Sequence, residues 1–134
     1  MARQSARIEA PIERVWAVLS DVPAWPKTNP EIHNVQLDDG VIADGRFTWA
    51  NGKSRIKSRF AVVDAERELT WTGVSSGAKA AHRNLVESTA DGATRVISEE
   101  SMAGPLLTLF YSSTKLEAGV ERWLAALKRA AEDA

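Results

Sequence analysis

His82 and Glu100 are the pair that this sequence places best for acid–base chemistry. Both side chains can move a proton, and both fall on one face of a predicted hairpin, opposite one another. The hairpin runs from Lys79 to Ser88 and from Thr94 to Met102 around Ala90-Asp91-Gly92, a three-residue loop with Gly in the left-handed position. That loop sets Arg83 opposite Glu99, Glu87 opposite Arg95 and Leu85 opposite Ile97. Two opposite-charge pairs arising together support the register, at about 0.2–1 kcal/mol each. A two-residue loop would set Val86 against Ile97 from opposite faces, which a pleated sheet forbids. The other face then pairs Val86 with Val96, Asn84 with Ser98 and His82 with Glu100.

A carboxylate on an apolar sheet face is costly unless it is paired, hydrogen-bonded or wetted. Pairing predicts a raised histidine pKa and a lowered glutamate pKa. Such a dyad in a pocket can act as general base or acid for proton abstraction beside a carbonyl. Two plainer readings stand next to it: the pair only satisfies buried polar groups, or Glu100 sits at a rim in water. Ser58, Asn84 and Ser98 fall on the same face and could donate hydrogen bonds to substrate oxygens. Trp25, Trp49, Trp71 and Tyr111, with Phe60, Met102 and Phe110, could wall a ligand site. Large aromatics at inward positions are more often core.

The elements that position these residues are short strands and two helices. Ala6 and Ile8 alternate with Arg7 and Glu9 in a first strand over residues 4–9. Pro11 opens a helix at its first position, with Ile12, Val15, Trp16 and Leu19 on its apolar face. Pro23, Pro26 and Pro30 confine residues 22–30 to a loop or short helical turn carrying Trp25. A strand from Ile32 closes at Asp38-Asp39-Gly40. Phe47 and Trp49 lead into an Asn51-Gly52 hairpin, which sets Phe47 opposite Ile56 and Trp49 opposite Ser54. Ile56, Ser58, Phe60 and Val62 point inward; Arg55, Lys57 and Arg59 point out as a solvated stripe. Leu69, Trp71 and Gly73 continue the inner face.

The last element, Leu106 to Ala131, is a predicted helix roughly 40 Å long. Leu116, Val120, Trp123, Leu124, Leu127 and Ala131 share one face. Its first half, with Ser112, Ser113 and Thr114 where a tight core wants bulk, predicts the roof of a hollow. Its second half predicts an anchor, with Gly119 allowing close approach.

Composition narrows the function classes. One domain over residues 1–134, 44% hydrophobic and with net charge −1, presents no basic field for nucleic acid or an anionic membrane. The absence of cysteine removes disulfides and thiolate chemistry, and two histidines are too few for a convincing metal site. No apolar run is long enough for stable membrane insertion and no leader pattern opens the chain, so a cytoplasmic location is expected. No phosphate loop, serine elbow or metal motif occurs, and no cofactor is expected.

The order strand, helix, proline-rich turn, antiparallel sheet and terminal helix resembles the START-like helix-grip superfamily. The resemblance is carried by RIEAPIERVWAVLSDVPAWPKTNPEI at the start, by GRFTW and ELTWTG, and by TRVISEESMAGPL running into the last helix. The opening stretch with Trp25-Pro26 is similar to the polyketide cyclase/dehydrase and lipid-transport (SRPBCC) branch. That resemblance implies an α+β, Bet v 1-like fold: a seven-stranded curved antiparallel sheet around the long C-terminal helix, with an internal cavity. It implies a hydrophobic small-molecule ligand, with cyclase or dehydratase activity on a keto or aromatic substrate as the catalytic version. There His82 is the base and Glu100 its orienter. The alternatives are a non-catalytic lipid or quinone-like carrier or sensor, and a protein-interaction module using the outer face. A monomer or a homodimer fits either way. The superfamily's iron-dependent members need ligand sets absent here.

Overall fold

A computed structural model describes residues 1–75, 77–104 and 113–133. Seven strands form one antiparallel sheet: β1 Ala2–Ile8, β2 Ile32–Leu37, β3 Arg46–Asn51, β4 Ser54–Asp64, β5 Glu68–Ser75, β6 Ala78–Ser88 and β7 Thr94–Ala103. Their order is β1-β7-β6-β5-β4-β3-β2, so every pair except β1–β7 joins neighbours in sequence. Helix α1 (Ile12–Ser20), a 3-10 turn at Val22–Ala24 and the one-turn helix α2 (Trp25–Thr28) connect β1 to β2. The terminal helix α3 (Ser113–Glu132) packs against β1, α1, α2 and β7. This is the helix-grip architecture. The first half of the predicted terminal helix, Leu106 to Ser112, lies outside the described residues, and so do Phe110 and Tyr111.

The β6–β7 hairpin has the register that the charge pairs predicted, from Lys79 opposite Ala103 to Ser88 opposite Thr94. Gly92 takes φ 87° in its loop, and Thr89 N–H bonds the Ala93 carbonyl at 2.9 Å. The β3–β4 hairpin differs from expectation by two residues. Phe47 faces Ser58 and Trp49 faces Ile56, because Asn51 stays in the strand and Gly52-Lys53 make the turn. Gly52 supplies the positive φ, 59°, at the first central position. A shift of two keeps every side chain on its face.

Two smaller expectations are corrected. Pro11 precedes α1 in an extended conformation (ψ 157°), and its carbonyl accepts the Val15 N–H at 3.1 Å. The β4–β5 register slips between Phe60 and Val62, a bulge at Ala61. The extra residue turns Val62 outward, 36% exposed, and brings Val63 against the core.

The core lies between the sheet's concave face and the helices. Leu116, Val120, Leu124, Leu127 and Ala131 of α3 are buried against Ile8, Val15, Leu19, Val22 and Val96. The far end of α3 is fastened by three side chains. Arg14 reaches the Ala130 carbonyl at 3.1 Å and the Ala131 carbonyl at 3.4 Å, a cation satisfying helix-terminal carbonyls. Lys128 donates to the Arg7 carbonyl at 2.8 Å, and the Glu132 carboxylate accepts the Glu9 N–H at 2.7 Å.

Candidate functional site

A row of small side chains makes the hollow. Ser58 of β4, Gly73 of β5 and Ala80 of β6 are successive cross-strand partners, and Met102 of β7 continues the row. Where a packed sheet would carry branched apolar residues, this row carries almost no bulk. A Cβ on Gly73 would lie 2.8 Å from Ile56 Cγ2 and 3.1 Å from Ser58 Oγ, so its neighbours close over the glycine. Above the row, Leu116 and Gly119 of α3 face the sheet across a hollow of about 400 Å³. Among the described residues, Arg122 Nη2, at 3.9 Å, is the one atom near the position of a Cβ on Gly119, so none of them makes the close approach expected there.

The next row along the sheet is Phe60, Trp71, His82 and Glu100. Trp71, His82 and Glu100 line the inner end of the hollow, while Trp49, Ile56 and Met102 supply apolar wall. Trp49 donates its indole N–H to Ser58 Oγ at 2.9 Å. The remaining predicted site residues pack beneath the site. Trp25 and Phe60 are buried core: the Trp25 ring meets Trp49, Trp71 and Trp123 at centroid distances of 5.7, 5.0 and 5.2 Å, and its N–H bonds the Leu19 carbonyl. Asn84 and Ser98 are fully buried behind His82 and do not line the hollow. Ser98 bonds the histidine, and Asn84 bonds Ser98.

His82 and Glu100 face each other as the register requires, with Nδ1 3.8 Å from Oε2. That exceeds hydrogen-bond length. The two groups therefore do not stabilise each other's charge, and the pKa directions are the reverse of those expected from a close ion pair. Burial pushes the histidine down to about 3 and the glutamate up to about 6. At neutral pH His82 is a neutral ring, and Glu100, a quarter exposed, is the group that titrates near physiological pH. Behind His82 runs a buried chain of hydrogen bonds: Nε2 to Ser98 Oγ at 2.6 Å, Ser98 to Asn84 Oδ1 at 2.9 Å, and Trp123 Nε1 to the same Oδ1 at 3.0 Å.

Sequence reasoning placed Trp123 on the core face but missed its bond to Asn84. It also missed the rim, where exposed Glu31 and Arg122 pair at 3.3 Å across the gap between β2 and α3, with Asn29 and Lys115 beside them. Periodicity marks these residues only as polar positions, and the topology brings them together. Among the described residues no three His, Asp or Glu side chains converge to hold a metal ion, and no helix is long and apolar enough to cross a membrane.

The family model described as polyketide cyclase / dehydrase and lipid transport matches residues 2–132. None of the curated proteins matches the chain. Among solved structures, a hypothetical protein of Helicobacter pylori superposes with TM-score 0.86 at 19% identity, over 97% of this chain and 86% of its own. A protein of Thermus thermophilus gives 0.82 at 18% identity, over 97% and 95%. A START superfamily protein of Mycobacterium smegmatis gives 0.73 at 15% identity, over 98% and 94%. At such identities the likeness is one of fold.

Proposed function

The chain belongs to the polyketide cyclase/dehydrase and lipid transport family, and from that premise we propose that it binds an apolar small molecule between the sheet and α3. The observation that carries this reading is the hollow of about 400 Å³, floored by Ser58, Gly73 and Ala80 and closed at one end by His82 and Glu100. Its size lies within the usual range for small-molecule pockets, roughly 300–1,000 Å³, and an apolar wall with few polar groups is their usual lining. The ligand's body would lie on Trp49, Ile56, Trp71 and Met102, with an oxygen at the inner end. Titration with a neutral reporter dye, N-phenyl-1-naphthylamine, tests this. One molecule should bind per chain, with enhanced fluorescence, and Ala80→Phe should abolish binding with the circular dichroism unchanged. Equal dye binding by folded Ala80→Phe protein would refute the assignment.

A second reading is catalytic and rests on Glu100. A carboxyl group held near pKa 6 beside an apolar hollow suits general acid–base work at neutral pH. In this reading Glu100 moves the proton next to a ligand carbonyl and neutral His82 orients the ligand, the reverse of the roles expected from sequence. Deuterium exchange at the central carbon of 1-phenylbutane-1,3-dione, accelerated by the native protein and lost in Glu100→Gln, would support it. No acceleration by the native protein would leave binding alone.

A further inference from the structure

We infer that the inner end of the hollow accepts hydrogen bonds and therefore selects a ligand presenting a hydroxyl there: a phenol, enol or alcohol in preference to an ether, ester or ketone. This rests on the hollow being a ligand site and names the polar group that the ligand must carry.

The inference follows from proton accounting along the buried chain. An indole N–H can only donate. Trp123 Nε1 lies 3.0 Å from an Asn84 side-chain atom, which must therefore be the amide oxygen. The Asn84 amide nitrogen then donates to the Leu69 carbonyl at 3.3 Å, in agreement. Ser98 Oγ lies 2.9 Å from that same amide oxygen. Two oxygens this close need a proton between them, and only the serine has one to give. With its single proton committed, Ser98 must accept from His82 Nε2, 2.6 Å away. His82 is thereby fixed as the Nε2–H tautomer, and its Nδ1 keeps a lone pair.

Nδ1 lies on the Glu100 side, where 3.8 Å separates it from Oε2. Among the described residues it has no hydrogen-bond partner. Above about pH 6 the Glu100 carboxylate adds oxygens that also only accept. A ligand ketone or ether placed there would turn its own lone pairs toward these and leave every polar group unsatisfied. A hydroxyl would give its one proton to Nδ1 or to a Glu100 oxygen, which a ketone or ether cannot do. Trp123 is then a positioning residue: from α3, acting through Asn84 and Ser98, it decides which nitrogen of His82 carries the proton.

The test compares 2-naphthol, 2-methoxynaphthalene and naphthalene by calorimetry at pH 7.5, with long-range 15N NMR of His82 in the ligand-free chain. Hydrogen bonds to charged acceptors are stronger than those between neutral groups. 2-Naphthol should therefore bind at least tenfold more tightly than the other two. The His82 spectrum should show a protonated Nε2 and a bare Nδ1. Ser98→Ala, and separately Trp123→Phe, should mix the tautomers and narrow the discrimination. If 2-methoxynaphthalene binds as tightly as 2-naphthol, the hydroxyl preference is wrong and the binding hollow stands. If none of the three binds, both are wrong. A His82 protonated at Nδ1, or at both nitrogens, would overturn the tautomer assignment and with it the proposal.

Discussion

Replacing Glu100 by Gln should make the protein more stable at neutral pH. The unfolded chain ionises this carboxyl near its ordinary value of 4.5, whereas the folded protein holds the proton up to about 6 because burial disfavours the anion. Below pH 4.5 both states are protonated and there is no cost. Above pH 6 both are ionised, and the folded state bears the full cost of a poorly hydrated charge. A shift from 4.5 to 6 corresponds to about 2 kcal/mol. Glutamine has nearly the same shape and no charge at any pH. Urea unfolding should therefore show Glu100→Gln more stable by about 1–2 kcal/mol at pH 8, with the gain shrinking through pH 6 and vanishing at pH 4. His82 pulls the other way. Its folded pKa is about 3 against an ordinary 6.5, so its contribution is complete above pH 6.5 and is lost as pH falls. In the native protein the two slopes oppose each other between pH 6 and 4.5; in the variant His82's slope stands alone. A variant less stable than native at pH 8, or one whose gain does not change with pH, would refute the reasoning.

Other perturbations separate the two ends of the terminal helix. Gly119→Leu should raise stability by up to about 1 kcal/mol, since a strong helix former replaces glycine and meets open space, yet it should abolish dye binding by filling the hollow. Leu124→Ala, at a site 4% exposed, should lower stability by about 2–5 kcal/mol in the same urea assay. In the Glu100→Gln background, where His82's slope stands alone, adding His82→Gln should remove most of the stability loss between pH 6.5 and 5, about 1.4 kcal/mol per pH unit.

Where the sequence carried redundant signals, the structure could be read from it. The β6–β7 register rested on two charge pairs and a glycine loop agreeing, and it holds residue by residue. The β3–β4 hairpin rested on a single dipeptide, so the strand could not say whether Asn51 belonged to it or to the turn. The Ala61 bulge sits in Ala61-Val62-Val63, where no polar residue marks which side is out. Cross-strand pairing identified His82 and Glu100 as partners but gave only backbone neighbours. It could not show the gap of 3.8 Å that lets desolvation outweigh attraction. Trp123 and Asn84 are 39 positions apart, and no periodicity predicts that an indole proton will find one amide oxygen. The aromatic residues were all visible; which ones face a hollow and which fill the core depends on the small row at Ser58, Gly73 and Ala80, whose meaning appears only once the strands are aligned.

The fastenings of α3 are distributed unevenly, and this makes the helix a cantilever. Near its root, Arg14 holds the Ala130 and Ala131 carbonyls, and Lys128 and Glu132 bond the backbone of Arg7 and Glu9. Toward the hollow, the described contacts include the Trp123–Asn84 bond, the burial of Leu116 and Val120, and the exposed Glu31–Arg122 pair, a type worth about 0–1 kcal/mol. From Ala130 back to Gly119 the lever arm is roughly 16 Å at helical rise. A pivot of about 10° at the root would carry Gly119 about 3 Å from the sheet and draw its neighbour Val120, fully buried, out of its contacts, so the hollow widens only as the core loosens along the same arm.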